Sequence, residues 1–150
     1  METQAAADRY LDDGEGEKAL SIYEYYAERG SLSAIHAIGH TCLYGIAGVK
    51  QDYDTAVRWF SRGAEGGCPQ CMYHMGMCNA KGYGTPADPE RAAEWYRKSA
   101  DRGDEDAMYE LGICYEKGFG VEADPAQADD WYRKAARLGQ EEAAKKLADR

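Results

Sequence analysis

Trp59, Trp95 and Trp131 stand 36 residues apart, and a fixed period of that length dictates stacked supersecondary units rather than a single globular core. Other positions share the register: Asp52, Asp88 and Asp124; Gly48, Gly84 and Gly120; Ala56, Ala92 and Ala128; Phe60, Tyr96 and Tyr132. Upstream of these, Gly39, Gly76 and Gly112 are spaced by 37 and then 36, so the first full unit holds one extra residue. The extra residue lies between Gly45 and Gly48, where the later units read Gly82-Tyr83-Gly84 and Gly118-Phe119-Gly120. An insertion in a stacked array belongs in a connection, which tolerates it, and not in a packed helix.

Each unit reads as two helices joined by a glycine-rich turn. In the third full unit the spacing of Ala107, Met108, Leu111, Cys114 and Tyr115 predicts a first helix over residues 105–117, stopped by Gly118. The second helix begins where Asp124 can accept hydrogen bonds from free amides and Pro125 fills a position whose amide would go unused. Asp88-Pro89 repeats the signal. Ala128, Trp131, Tyr132, Ala135 and Ala136 form its apolar face, with the tryptophans expected as large buried aromatics, and Gly139 can take the left-handed conformation that closes a helix. Gly66 or Gly67 and Gly103 close the equivalent helices.

The stretch Leu111 to Val121, followed by Asp124, Ala128, Trp131-Tyr132, Lys134-Ala135-Ala136 and Gly139, resembles the Sel1-like repeat, a relative of the tetratricopeptide repeat with a longer internal loop. The resemblance covers residues 31 to 139 as three units, 31–67, 68–103 and 104–139. It implies an all-α fold, a right-handed α-α solenoid of helix pairs. Some positions depart from the pattern: Cys42 and Asn79 stand where Tyr115 does, and Thr85 stands where Val49 and Val121 do. Residues 1–30 form a divergent unit in which Tyr10, Gly14, Ala19 and Tyr23 follow the shorter tetratricopeptide spacing around the compact turn Asp12 to Gly16. Residues 140–150 repeat the start of a unit, since Ala143 and Leu147 match Ala107 and Leu111, but place Lys145, Lys146 and Asp149 where Tyr109, Glu110 and Ile113 stand. A capping helix needs such a polar face, because the last repeat otherwise exposes apolar surface. The whole chain is then one elongated domain of about nine helices.

No apolar run approaches the roughly 20 residues that span a bilayer. The N-terminal Met1-Glu2-Thr3-Gln4 lacks the basic and apolar segments of a signal peptide. The expectation is a cytoplasmic chain, although a secreted or periplasmic one trimmed of its leader would read the same. A net charge of −9 without a basic cluster argues against nucleic acid and against anionic membrane as partners. The five cysteines, Cys42, Cys68, Cys71, Cys78 and Cys114, are an odd number. Cysteine-rich relatives within the Sel1-like family link the end of one second helix to the next first helix by a disulfide. Here the corresponding places hold Ala64 and Met72, Ala100 and Met108, so free thiols and a reducing compartment are expected. Cys78 and Cys114, equivalent places on first helices, read as small buried apolar residues.

Two arrangements could carry metal chemistry. Cys68-Pro69-Gln70-Cys71 with His74 offers three ligands within seven residues, and His36 with His40 sets two imidazoles one turn apart. A zinc site calls for a second ligand pair at a fixed distance, and His36 to His40 lacks the glutamate of a metalloprotease helix. No phosphate loop or nucleophile elbow is visible, so neither cofactor nor catalytic residue is assigned.

First helices of a tetratricopeptide-like array line a concave surface. The resemblance places His36, Tyr73 and Tyr109 in one column along it and His40, Met77 and Ile113 in another, with Lys81 and Lys117 beyond them. Aromatic and apolar side chains exposed on an otherwise charged surface point to a peptide-binding stripe; packed between adjacent helices, the same residues would be core. The expectation is a non-enzymatic interaction module, an adaptor or scaffold, monomeric, that binds a protein or peptide partner along this groove. Two other readings stand beside it: a small-molecule binder or hydrolase related to β-lactam-binding Sel1-like proteins, and a metal-dependent regulator acting through Cys68, Cys71 and His74.

Overall fold

The computed structural model describes residues 2–150; Met1 lies outside them. Nine helices follow in chain order among the described residues: α1 Gln4–Asp12, α2 Gly16–Ala27, α3 Leu32–Tyr44, α4 Tyr53–Glu65, α5 Pro69–Lys81, α6 Pro89–Asp101, α7 Glu105–Lys117, α8 Pro125–Arg137 and α9 Glu141–Ala148. Every helix packs chiefly on its neighbours in sequence, which makes the chain an all-helical solenoid of antiparallel pairs. None of the helices is long and apolar enough to cross a membrane.

The helix ends sit where the start and stop residues require. Asp52, Asp88 and Asp124 each accept the amide three residues on, and Gly45, Gly82 and Gly118 end α3, α5 and α7 in the left-handed conformation. The extra residue of the first unit leaves Ala47 at a φ of 56°, the one non-glycine with positive φ among the described residues.

Small residues in the first helices make room for rings from the second. A Cβ on Gly39 would lie 2.5 Å from the Phe60 ring, one on Gly76 2.6 Å from Tyr96, and one on Gly112 2.5 Å from Tyr132. Real Cβ atoms do not approach that closely, so the glycine at this place is what lets α3 and α4, α5 and α6, and α7 and α8 close on each other. Phe60, Tyr96 and Tyr132 are accordingly buried. The tryptophan column differs from expectation: Trp131 is buried, but Trp59 and Trp95 are only half-buried. Each indole lies under a cation from its own helix, Arg62 at 4.5 Å, Lys98 at 4.7 Å and Lys134 at 4.4 Å, and Trp59 and Trp95 cover the edge of the core while remaining partly open to water.

The long loops join neighbouring units. The amides of Asp52, Asp88 and Asp124 donate to the carbonyls of Cys42, Asn79 and Tyr115, at 2.8, 2.7 and 2.8 Å, tying each loop end to its own first helix. Each loop also rests on the unit before it. Gly84 sits so close to the Tyr53 carbonyl, and Gly120 to the Pro89 carbonyl, that a Cβ on either would collide with peptide oxygen. The Tyr83 ring stacks on Tyr53 with centroids 4.4 Å apart. At the N-terminus the contact is reversed in kind, with the Gly16 amide donating to the Ala47 carbonyl at 2.9 Å. At the other end, Lys146 and Arg150 bridge to Glu116 at 3.0 and 3.2 Å, and Arg150 to Asp129 at 2.8 Å. Lys146 of α9 and Arg150 just beyond it thus tie the end of the chain to α7 and α8.

Candidate functional site

Positions that repeat on α3, α5 and α7 place the same side of each first helix in line. His36, His40, Tyr73, Met77, Tyr109 and Ile113 all lie there half-buried, with Lys81 and Lys117 exposed at the ends of α5 and α7. Tyr73 and Tyr109 sit over the rings below them, at 6.0 Å from Tyr96 and 5.9 Å from Tyr132. The face is therefore the upper layer of the same aromatic stacks that build the core. Tyr44, half exposed to water, extends it: its ring lies 4.8 Å from His40 and its hydroxyl points at the Met77 sulfur, 3.9 Å away.

A sharper grouping appears at the first inter-unit joint. His74, the third histidine of the chain, turns toward α3 and brings its ring to 5.1 Å from His36 and 6.0 Å from His40, while His36 and His40 are 5.9 Å apart. The His74 ring stacks on Phe60 at 4.5 Å and its Nδ1 meets the Gln70 carbonyl at 2.8 Å. Burial holds His36 and His74 neutral, each pushed down to about 4, and His40 shifts in the same direction. The Nε2 of His36 is buried with no hydrogen-bond partner. Period alone could not show this convergence, because the residue equivalent to His36 is Tyr73 and not its neighbour His74.

Further along, a cavity of about 350 Å³ opens between α5, α6 and α7, lined by Ala80, Tyr96, Glu110, Ile113, Lys117 and Phe119. Burial raises the Glu110 carboxyl, opposed by the charges of Lys81 and Lys117. Ile113 and Lys117 thus share a concavity with the loop residue Phe119, which spacing on the helices did not single out. Cys68, Cys71 and His74 do not converge: the two sulfurs meet at the start of α5, whereas His74 lies against Phe60. No group of three His, Cys, Asp or Glu side chains is placed to hold a metal ion among the described residues.

The Sel1 repeat matches residues 32–68, 69–104 and 105–140. The chain belongs to the Sel1 repeat family. A Sel1 repeat protein from Oxalobacter formigenes superposes with a TM-score of 0.83 at 31% identity, over 92% of this chain and 57% of that one. A protective antigen of uropathogenic Escherichia coli that displays the same repeat fold superposes with a TM-score of 0.82 at 25% identity, over 98% of this chain and 36% of that one. The ERAD-associated E3 ubiquitin-protein ligase component HRD3A of Arabidopsis thaliana is 32% identical over 71 residues, 47% of this chain and 10% of that protein. The chain therefore spans about a tenth of HRD3A and just over half of the Oxalobacter protein. As a Sel1 repeat array it is a protein-interaction repeat module.

Proposed function

We propose that this Sel1 repeat array is a non-enzymatic adaptor or scaffold that holds a segment of a partner protein along the face made by α3, α5 and α7, the concave face of the solenoid. The observation that carries this reading is the unbroken run of half-buried His36, His40, Tyr73, Met77, Tyr109 and Ile113 across three helices, with Tyr44 open to water beside it. Half-buried aromatics backed by a rigid core are the residues that anchor interfaces, since they need little further ordering on binding. Lys81 and Lys117 border the same face and supply charge at its rim. A net charge of −9 with no basic stripe supports a protein rather than a nucleic-acid partner. The five unpaired cysteines support a reducing, cytoplasmic setting. The match to a ubiquitin-ligase component supports a role within a larger assembly, in which this chain acts as one monomeric part.

The test pairs two double variants in affinity capture from the native cell. Tyr73→Ala with Tyr109→Ala strips two anchors from the first-helix face; Trp59→Ala with Trp95→Ala strips comparable area from the second helices. Anchors of this kind carry roughly 2 kcal/mol each, so the tyrosine variant should lose partner affinity by tens of fold while the tryptophan variant keeps it. Equal retention by both, in folded protein, would remove this face as the binding surface.

A further inference from the structure

Seven of the nine helices among the described residues are capped at their start by a side-chain oxygen: Thr3, Ser31, Asp52, Asp88, Asp104, Asp124 or Gln140. At α5 the cap is the sulfur of Cys68, which accepts the Cys71 amide at 3.3 Å. A neutral thiol is a poor acceptor and a thiolate a good one, and free amides at a helix start favour the anion. The residue whose amide donates is itself a cysteine.

The fold does not require sulfur at either place. In the repeat register, Cys68 matches Ser31, Asp104 and Gln140, and Cys71 matches Ala34, Ala107 and Ala143. An oxygen cap and an alanine methyl serve every other unit. Room for the second sulfur comes from Gly63, where a Cβ would run into Cys71 Sγ; the register pairs Ser99 with Ala107 and Ala135 with Ala143 instead. The second unit has thus exchanged a small side chain on α4 for a thiol on α5, directly beside another thiol.

Surroundings assign a role to each sulfur. Cys71 is fully enclosed, and Cys68 is 4% exposed, at a turn flanked by exposed Gly66 and Gln70. The neighbouring Cys71 side chain and the amides of Cys71 and Gln70 draw the Cys68 thiol below its ordinary range, against the effect of burial and of Asp104, while the thiol itself donates to Gln70 Oε1 at 3.6 Å. Cys71 is shifted up by the same contact and by burial. Burial raises Cys42, Cys78 and Cys114. With Cys68 only 4% exposed and Cys71 not at all, the pair suits a small oxidant rather than a bulky protein thiol or disulfide.

We propose that Cys68 and Cys71 form a thiol redox site for a small peroxide. The Cys68 sulfur attacks one oxygen of hydrogen peroxide, the O–O bond breaks, and the products are a Cys68 sulfenic acid and one water. The Cys71 sulfur then displaces the hydroxyl from Cys68 as a second water, leaving a Cys68–Cys71 disulfide. The two thiols give up two protons and two electrons, and these reduce the peroxide to two waters.

The experiment treats the reduced 150-residue chain with hydrogen peroxide and reads intact mass and mapped peptides. Loss of two hydrogen atoms, mapped to a Cys68–Cys71 bond and reversed by a dithiol, is the expected result, with Cys42, Cys78 and Cys114 still open to alkylation after denaturation. Cys71→Ala copies Ala34 and Ala107, and Cys68→Ser copies Ser31, so both variants use side chains that the repeat already accommodates. Cys71→Ala should stop at the sulfenic acid, captured on Cys68 by dimedone, and Cys68→Ser should give neither dimedone adduct nor mass loss. An unchanged mass, a bond to any other cysteine, or the two-hydrogen loss persisting in either variant would overturn the proposal.

Discussion

Gly76 and Tyr96 show how much one missing carbon supports. An alanine at Gly76 would drive its methyl into the ring, and because that ring is wedged between helices it can move only by parting them. Gly76→Ala should therefore cost about 1–3 kcal/mol in urea unfolding, and Phe60→Ala, which empties a buried place, about 3–5 kcal/mol. Trp95→Ala removes a side chain already half in water, and should cost only about 1–2 kcal/mol. A larger loss at Trp95 than at Phe60 would reverse the assignment of which aromatic faces inward. The three histidines make a prediction about pH. Unfolded imidazoles take up protons near 6.5, whereas His36 and His74 hold out to about 4, so the stability they allow is complete above pH 6.5 and is lost as pH falls through the interval to about 4. Burial dominates both shifts; on His74 the hydrogen bond to the Gln70 carbonyl opposes it, and smaller repulsion comes from His40 on both rings and from His36 on His74. At pH 5 the pair should have cost on the order of 3 kcal/mol. His36→Gln with His74→Gln should narrow the drop in Tm between pH 7 and pH 5 by several degrees; an unchanged drop would mean that water reaches both rings.

Helices α4, α6 and α8 share one start signal but not one strength of cap. Thr55 donates a second bond to Asp52 at 2.7 Å and Gln127 a second to Asp124 at 3.0 Å, whereas Asp88 receives only the Arg91 amide. Asp88→Ala should cost about 1 kcal/mol, and Asp52→Ala or Asp124→Ala somewhat more, as read from denaturant midpoints. Elements of this kind are legible in sequence because the cap and the stop are local chemistry, and residues 105–117 emerge as the helix that Asp104 and Gly118 delimit. The depth of the tryptophans is not local. Trp95 and Tyr96 are adjacent, and which of them turns inward is settled by Gly76 some twenty positions earlier. The glycines at 39, 76 and 112 were a visible signal of that approach. For the face proposed to bind a partner, the repeat register together with the family resemblance gave the residues that line up on α3, α5 and α7. Meeting partners from off the period, such as His74 and Phe119, depend on the angle at which the units stack.

At the scale of the whole molecule, stability is distributed over joints between units. The loop carrying Gly120 rests on the Pro89 carbonyl, while Gly103, also at positive φ, has nothing within 4 Å of where a Cβ would stand. Both alanine variants strain the backbone, but only Gly120→Ala also lifts a loop off its neighbour. It should cost about 1–3 kcal/mol more than Gly103→Ala, and amide exchange across residues 118–124 should accelerate in it alone.

Those loops dock against peptide oxygens. Every residue carries such an oxygen, so this part of the joint does not depend on side-chain identity, whereas the Tyr83–Tyr53 stack does. A unit copied or lost as a whole during evolution would meet the same backbone acceptor on its new neighbour, and only the side-chain part of the joint would need adjusting. Arrays jointed in this way can change length by duplication while their exposed faces diverge independently, one unit at a time.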